Sequence, residues 1–225
     1  MSIPYHQLEA PPLKDVLIEF RAVDWDEPDR HLDWMHSASS ILQAGPCIRS
    51  NQLDFDEEVM FKSTRYLYGA ARRPESARPF CLTVSLTHPH DPYTINKTYW
   101  DRYEGVDIPQ PDVKIPQEEQ DAHSQRLLKV CGLWDNTPPK EAVERARRAY
   151  YGAMSYVDDN VGKLLDVLKE CGMEEDTIVI FSSDHGDMLG ERGLWYVLPP
   201  TRRKCPAASC YHYRGVTFEL GLKQI

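Results

Sequence analysis

Two short stretches carry side chains suited to chemistry rather than to packing. Asp184 and His185 follow the apolar run Thr177-Ile178-Val179-Ile180-Phe181 and stand just ahead of Gly186 and Asp187. A carboxylate and an imidazole at the carboxyl end of a buried strand are donors for a divalent metal ion, or a general-base pair, where open α/β sheets bind ligands. By themselves they are half a metal site, because such ions take more donors from protein than two. The other stretch is Thr87-His88-Pro89-His90-Asp91-Pro92-Tyr93. Prolines on both sides of His90 and Asp91 fix the backbone, so His90 has little freedom left to lose when a ligand arrives. It can donate to an anionic oxygen or protonate a leaving group. His88 reads as structural and Asp91 as a turn former, since Asp before Pro is common in turns. Asp187, Glu191 and Arg192 can line a pocket mouth or pair with one another in solvent.

These side chains need elements to hold them. From Asp54 to Arg73 acids lead and bases follow, with apolar residues at helical spacing, and Asp56, Glu57 and Glu58 suit the positive end of a helix. Residues 80–86, Phe-Cys-Leu-Thr-Val-Ser-Leu, read as a buried strand that runs into the His88–Tyr93 stretch. From there to Pro139 the chain is rich in Pro, Asp and Gln, which suggests a long loop with short helical pieces. A helix starts around Asn136-Thr137-Pro138-Pro139 and carries one apolar stripe, Ala146, Ala149, Ala153, Val157, Val161, Leu164 and Leu168, as far as Gly172. Residues 177–183 then form a further strand. Strand, loop, long helix, strand predicts a parallel pair with a right-handed crossover, with His88, His90, Asp184 and His185 all beyond carboxyl ends of one sheet. On the long helix, Asp158 sits close enough to Val157 to approach the buried stripe, whereas Asp159 reads as solvated.

A net charge of -9 over 225 residues excludes a concentrated basic face, and with it nucleic acid and acidic membranes as partners. No apolar run approaches a bilayer span, and the first residues lack the pattern of a secretory signal, so a cytoplasmic protein is expected. The six cysteines are scattered without metal-type spacing among the first four, as reduced thiols would be. Cys47-Ile48-Arg49-Ser50 has neither a helix start nor a glycine elbow around it to make a nucleophile.

Taken together, Ser183-Asp184-His185-Gly186-Asp187-Met188-Leu189-Gly190-Glu191-Arg192-Gly193-Leu194-Trp195-Tyr196 resembles the second metal-binding segment of formylglycine-dependent sulfatases, in the alkaline phosphatase superfamily. Tyr151 to Asp158, then Val161 to Leu165, Leu168 and Gly172, is similar to the helix before that segment. The Gly45–Val59 and Leu86–Tyr93 stretches look most like the choline-sulfatase branch. The resemblance runs from about Asp24 to Tyr196. It implies an alkaline-phosphatase-like α/β domain, a mixed, mostly parallel sheet flanked by helices, here incomplete. Residues 1–196 would be its central part and residues 197–225 a divergent tail. It also implies hydrolysis of a small sulfate ester, choline sulfate to choline and sulfate, with Asp184 and His185 on Ca²⁺, or on Mg²⁺ or Mn²⁺, and His90 at the ester oxygen as catalytic and substrate-binding residue.

The family oxidises a cysteine in a Cys-x-Pro-x-Arg context to formylglycine, and no cysteine here has that context. Two metal-binding acids of the family's first strand have no counterpart either, and Val197 stands where the family has a sulfate-binding lysine. The expectation is a truncated chain, inactive alone. A phosphonate or phosphodiester hydrolase of the same superfamily, and a non-catalytic binding module, are the competing expectations.

Overall fold

The computed structural model describes residues 38–74, 78–183 and 185–196. Its axis is α5, Lys140–Glu170, a helix of 31 residues whose buried positions include Ala142, Ala146, Ala149, Ala153, Tyr156, Val157, Val167 and Leu168. Small side chains along the first half of that stripe let neighbours approach closely. At Gly152 an added Cβ would lie 3.0 Å from Ile95 Cγ2 and 3.2 Å from the Tyr99 carbonyl oxygen, so only glycine fits without displacement. Gly172, at φ 67°, ends the helix as expected of a left-handed cap.

Packed on α5 are α1 (Ala38–Leu42), β1 (Gly45–Cys47), α2 (Asn51–Ala71), β2 (Thr94–Asn96) and α3 (Lys97–Asp101). Helix α2 begins earlier than its charge pattern suggested, because Ser50 caps it by accepting from the Leu53 amide at 3.2 Å. A 3-10 turn at Gln117–Glu119 and α4, Ala122–Val130, are the short helical pieces expected of the long connection. The last described segment makes a tight turn, Met188 to Trp195, with Gly190 at φ 94° where a Cβ would meet Pro111 Cγ at 2.7 Å.

The expected α/β class with parallel pairing is present, but not where the apolar runs placed it. β1 and β2 pair in parallel, Gly45 with Thr94 through Cys47 with Asn96. Residues 80–86 and 177–183 are not strands and share no sheet. Exposure alternates along 80–86 and 177–182: Phe80, Leu82 and Val179 pack on Leu67, Val167 and Leu168, while Ile178 and Ile180 face water. An alternating pattern reports one buried face, whereas a strand also needs a neighbour for its N–H and C=O groups. Neither stretch has such a ladder among the described residues. His90 accordingly precedes the amino end of β2 instead of following a strand. Asp158 is exposed rather than turned to the stripe, and Asp159 pairs with Arg102 at 2.6 Å.

Candidate functional site

The site forms where the 87–93 segment meets the start of the 185–196 segment. Its central group is His90, whose Nδ1 donates to both the Asp91 carbonyl oxygen at 2.7 Å and the Asp91 carboxylate at 3.0 Å. The His90 side chain is 44% exposed and that of Asp91 only 5%, so a buried carboxylate holds a ring that reaches solvent. Asp91 is therefore more than a turn former. It also accepts from Ser40 Oγ at 3.2 Å, which ties the site to α1. Hydrogen bonding to the Asp91 carboxylate raises His90 to about 9 against the opposing effect of burial, with the charges of Asp91 and Asp187 adding to the rise. His90 is thus an imidazolium at neutral pH, a proton donor suited to an anionic oxygen.

Asp187 faces this group. Burial lifts its carboxyl to about 6; the bond from Tyr93 pulls it down, the Asp91 charge pushes it up, and the charges of His90 and His185 pull it down. Tyr93 Oη donates to Asp187 Oδ2 at 3.0 Å, and the Tyr93 ring stacks on Tyr196 at 6.2 Å with planes 6° apart. Burial raises the Tyr93 hydroxyl well above its ordinary value, so it remains a donor.

Of the residues singled out by sequence, the structure thus brings His90 and His185 within electrostatic reach of the same carboxylate, Asp187. Asp184 lies outside the described residues. Among the described residues no group of three His, Cys, Asp or Glu can hold a metal ion, so the donors in view do not make a coordination shell. Glu191 accepts from the Asp112 and Val113 amides, and Arg192 pairs with Asp121 at 3.1 Å, which removes both from the pocket mouth. Burial pushes the Cys47 thiol up and the Cys131 thiol to about 12, the wrong direction for a nucleophile.

His88 is structural, as expected: its Nδ1 donates to Asp56 Oδ2 at 2.6 Å, both side chains being buried. Asp56 is the residue that sequence misjudged. Read as an acid at a helix start, it is 0% exposed and accepts from the Thr87 amide, the Thr87 hydroxyl and the His88 amide as well. Burial pushes its carboxyl up, and the bonds from His88 and Thr87 together bring it below the ordinary carboxylate value. Tyr93, Ser40 and Gln52 were also missed. The available signal was the i, i+4 spacing of Gln52 and Asp56 at the start of a helix that leads into the site-bearing segment.

The family model described as Sulfatase matches residues 21–215. The chain is 46% identical over 177 residues to a choline-sulfatase of Rhizobium meliloti, covering 77% of this chain and 35% of that protein. It is 35% identical over 127 residues to an arylsulfatase of Clostridium perfringens, covering 56% and 25%. Among solved structures, the phosphonate monoester hydrolase of Agrobacterium radiobacter superposes with a TM-score of 0.51 at 23% identity, over 61% of this chain and 29% of that one, a likeness of fold alone. The chain spans about a quarter to a third of the length of these curated relatives.

Proposed function

This chain belongs to the sulfatase family, and from that premise we propose that it is the ester-facing part of a sulfuric ester hydrolase of choline-sulfatase type, which splits choline sulfate into choline and sulfate. The observation that carries the substrate is the 46% identity to the choline-sulfatase in a match over 77% of the chain. In hydrolysis at sulfur the S–O(ester) bond breaks and the departing alkoxide takes a proton. In this reading His90 donates through its other nitrogen to an ester or sulfate oxygen, a role supported by its Nδ1 contact to Asp91 and its raised pKa. Tyr93 and Tyr196 wall the site beside Asp187.

Sulfatases are in general dependent on a divalent metal, which neutralises sulfate charge when bound. Asp184 and His185 are the proposed ligands, Ca²⁺ the proposed ion, with Mg²⁺ or Mn²⁺ as alternatives. Two donors make for weak binding. Calorimetry with Ca²⁺ should show little heat, and tight binding abolished in Asp184→Ala would mean that further acids of this chain complete the shell.

No cysteine of the sequence has the formylglycine-forming context, so turnover by this chain alone is expected to be immeasurable. Residues 1–196 are proposed as the sulfatase part and 197–225 as a divergent tail. No helix among the described residues is long and apolar enough to cross a membrane. The free thiols Cys47, Cys81, Cys131 and Cys171 support a reducing, cytoplasmic setting.

The test is binding followed by NMR, with choline sulfate and a phosphodiester compared. Choline sulfate should perturb His90 and the phosphodiester should do so less, with the effect gone in His90→Ala. Equal response to both esters would shift the assignment to phosphoryl chemistry. Choline release by the isolated chain that vanishes in His90→Ala would require a nucleophile not named above.

A further inference from the structure

Helix α2 reaches the site-bearing segment twice, one turn apart. Gln52 and Asp56 stand at i and i+4 and so share a face. Gln52 Nε2 donates to two successive carbonyls, His90 at 2.9 Å and Asp91 at 2.8 Å. Asp56 accepts from Thr87 N at 2.7 Å, Thr87 Oγ1 at 2.8 Å, His88 N at 3.1 Å and His88 Nδ1 at 2.6 Å. One side chain fixes the entry to the segment and the other its exit. Inside it, His90 N donates back to Thr87 O at 3.0 Å. The Asp91 carbonyl that Gln52 holds is the same oxygen that accepts from His90 Nδ1.

We infer that Gln52 and Asp56 are positioning residues that lock the 87–91 segment so that the His90 ring is presented in one orientation, an inference resting on the proposed role of His90 toward the sulfate ester. The side chains touch neither substrate nor reacting atoms; they act through Asp91 and His88. The physical reason for needing them is that the segment lies in no helix or strand and has no ladder to hold it. Catalytic donors must be fixed to within a fraction of an ångström, and side chains that bond backbone carbonyls from a rigid helix supply that. The helix is rigid where it matters: Ser50 caps it and Leu53, between the two residues, is buried in the main core.

The experiment uses the whole chain with labelled histidine, the His90 resonances being assigned by their loss in His90→Gln. The charged groups facing His90 are Asp91 and Asp187, and neither is altered. Wild type, Gln52→Met and Asp56→Asn are titrated by NMR, each without and with inorganic sulfate. Gln52→Met keeps the length and loses both donated bonds. The expected result is a His90 midpoint lower by about one pH unit or more in Gln52→Met, as the ring and the Asp91 carboxylate separate. The sulfate-induced shift of His90 should fall severalfold, while the Trp195 indole resonance and the helix signal stay in place. A His90 midpoint and sulfate response equal to wild type in Gln52→Met would overturn the inference, whether or not Asp56→Asn folds. If sulfate fails to move His90 in the wild type, the functional reading falls, and the midpoints alone still decide the positioning role.

Discussion

The two ends of α5 carry different amounts of finished structure. Its first half, Ala142 to Val157, lies in a continuous core with Ile41, Leu53, Tyr93, Ile95, Tyr99, Leu128 and Trp195. Here the parallel pair is complete and the site is attached through Tyr93 and Trp195. Its last turns hold a small separate cluster, Val167 and Leu168 with Leu67, overlaid by half-buried Phe80, Leu82 and Val179. There the covering stretches form no ladder, and Ile178 is 59% and Ile180 71% exposed. One helix with one amphipathic stripe therefore supports a closed core at one end and a one-sided layer at the other. Helical periodicity reports only the face of the helix, whereas closure depends on what covers it.

The largest effects should separate the ends by truncation. Trp195 is 1% and Ile95 0% exposed, both in the main core. Removing them to Ala should cost about 3–5 and about 2–5 kcal/mol, from lost transfer and the cavity left behind. Val179→Ala, at a partly exposed residue that only overlays the small cluster, should cost about 1 kcal/mol or less by the same argument. Chemical denaturation of the three variants checks this. A loss at Val179 as large as at Ile95 would mean that the far cluster is a true core and would break the comparison.

A second pair uses the same substitution twice in the same helix. At Gly152 a methyl would press on Ile95 and the Tyr99 backbone, while at Gly162 nothing lies within 4 Å of the added carbon. Replacing Gly by Ala inside a helix gains about 1 kcal/mol where there is room. Overpacking costs typically about 1–3 kcal/mol where there is none. Gly162→Ala should therefore stabilise the fold and Gly152→Ala destabilise it, by about 1 kcal/mol each, read as opposite shifts of the melting temperature. Equal signs would show that the two ends are packed alike.

These contrasts also mark how far the sequence could be read. Helix α5 and its Gly172 end were legible because one stripe and one left-handed glycine are local signals. The proposed site residue, His90, stood out through its proline frame, since local stiffness is written in neighbouring residues. The strands were misplaced because short apolar runs such as 80–86 and 177–183 read as buried strands until it is known whether their backbones have partners. The three-residue β1 and β2, Gly-Pro-Cys and Thr-Ile-Asn, are too short to have a period. Asp56, Asp187 and Tyr93 were missed or undervalued for a related reason. Their importance comes from groups far along the chain, Thr87 and His88 for Asp56, and Tyr93 for Asp187 across 94 residues.

A smaller effect should come from the site itself, as a dependence of stability on pH. His90 is raised from its ordinary 6.5 to about 9 in the folded chain. A raised imidazole contributes stability that is full below pH 6.5 and is lost as the pH rises through about 9. The ring is 44% exposed, so solvent and salt reduce the contribution. Melting temperature should decline over that window in the wild type and decline less in Asp91→Asn, which removes the charged partner. The same decline in both would assign it to groups elsewhere, and the closed end would lose its electrostatic feature.

The smallest effect on stability belongs to the open face, and its smallness is the point. Ile178 and Ile180 put apolar side chains into water on a stretch whose backbone has no ladder among the described residues. A stretch with exposed isoleucines and no backbone ladder among the described residues is a template for strand addition by another extended chain. A lysine keeps the backbone available but makes approach of a second chain costly through charge and desolvation. Ile178→Lys and Ile180→Lys together should leave the unfolding free energy within about 0.5 kcal/mol of wild type. They should also raise the concentration at which light scattering first reports association. A large stability loss in the double variant would place these isoleucines in an internal core after all, and an unchanged association threshold would show that the open layer attracts no partner.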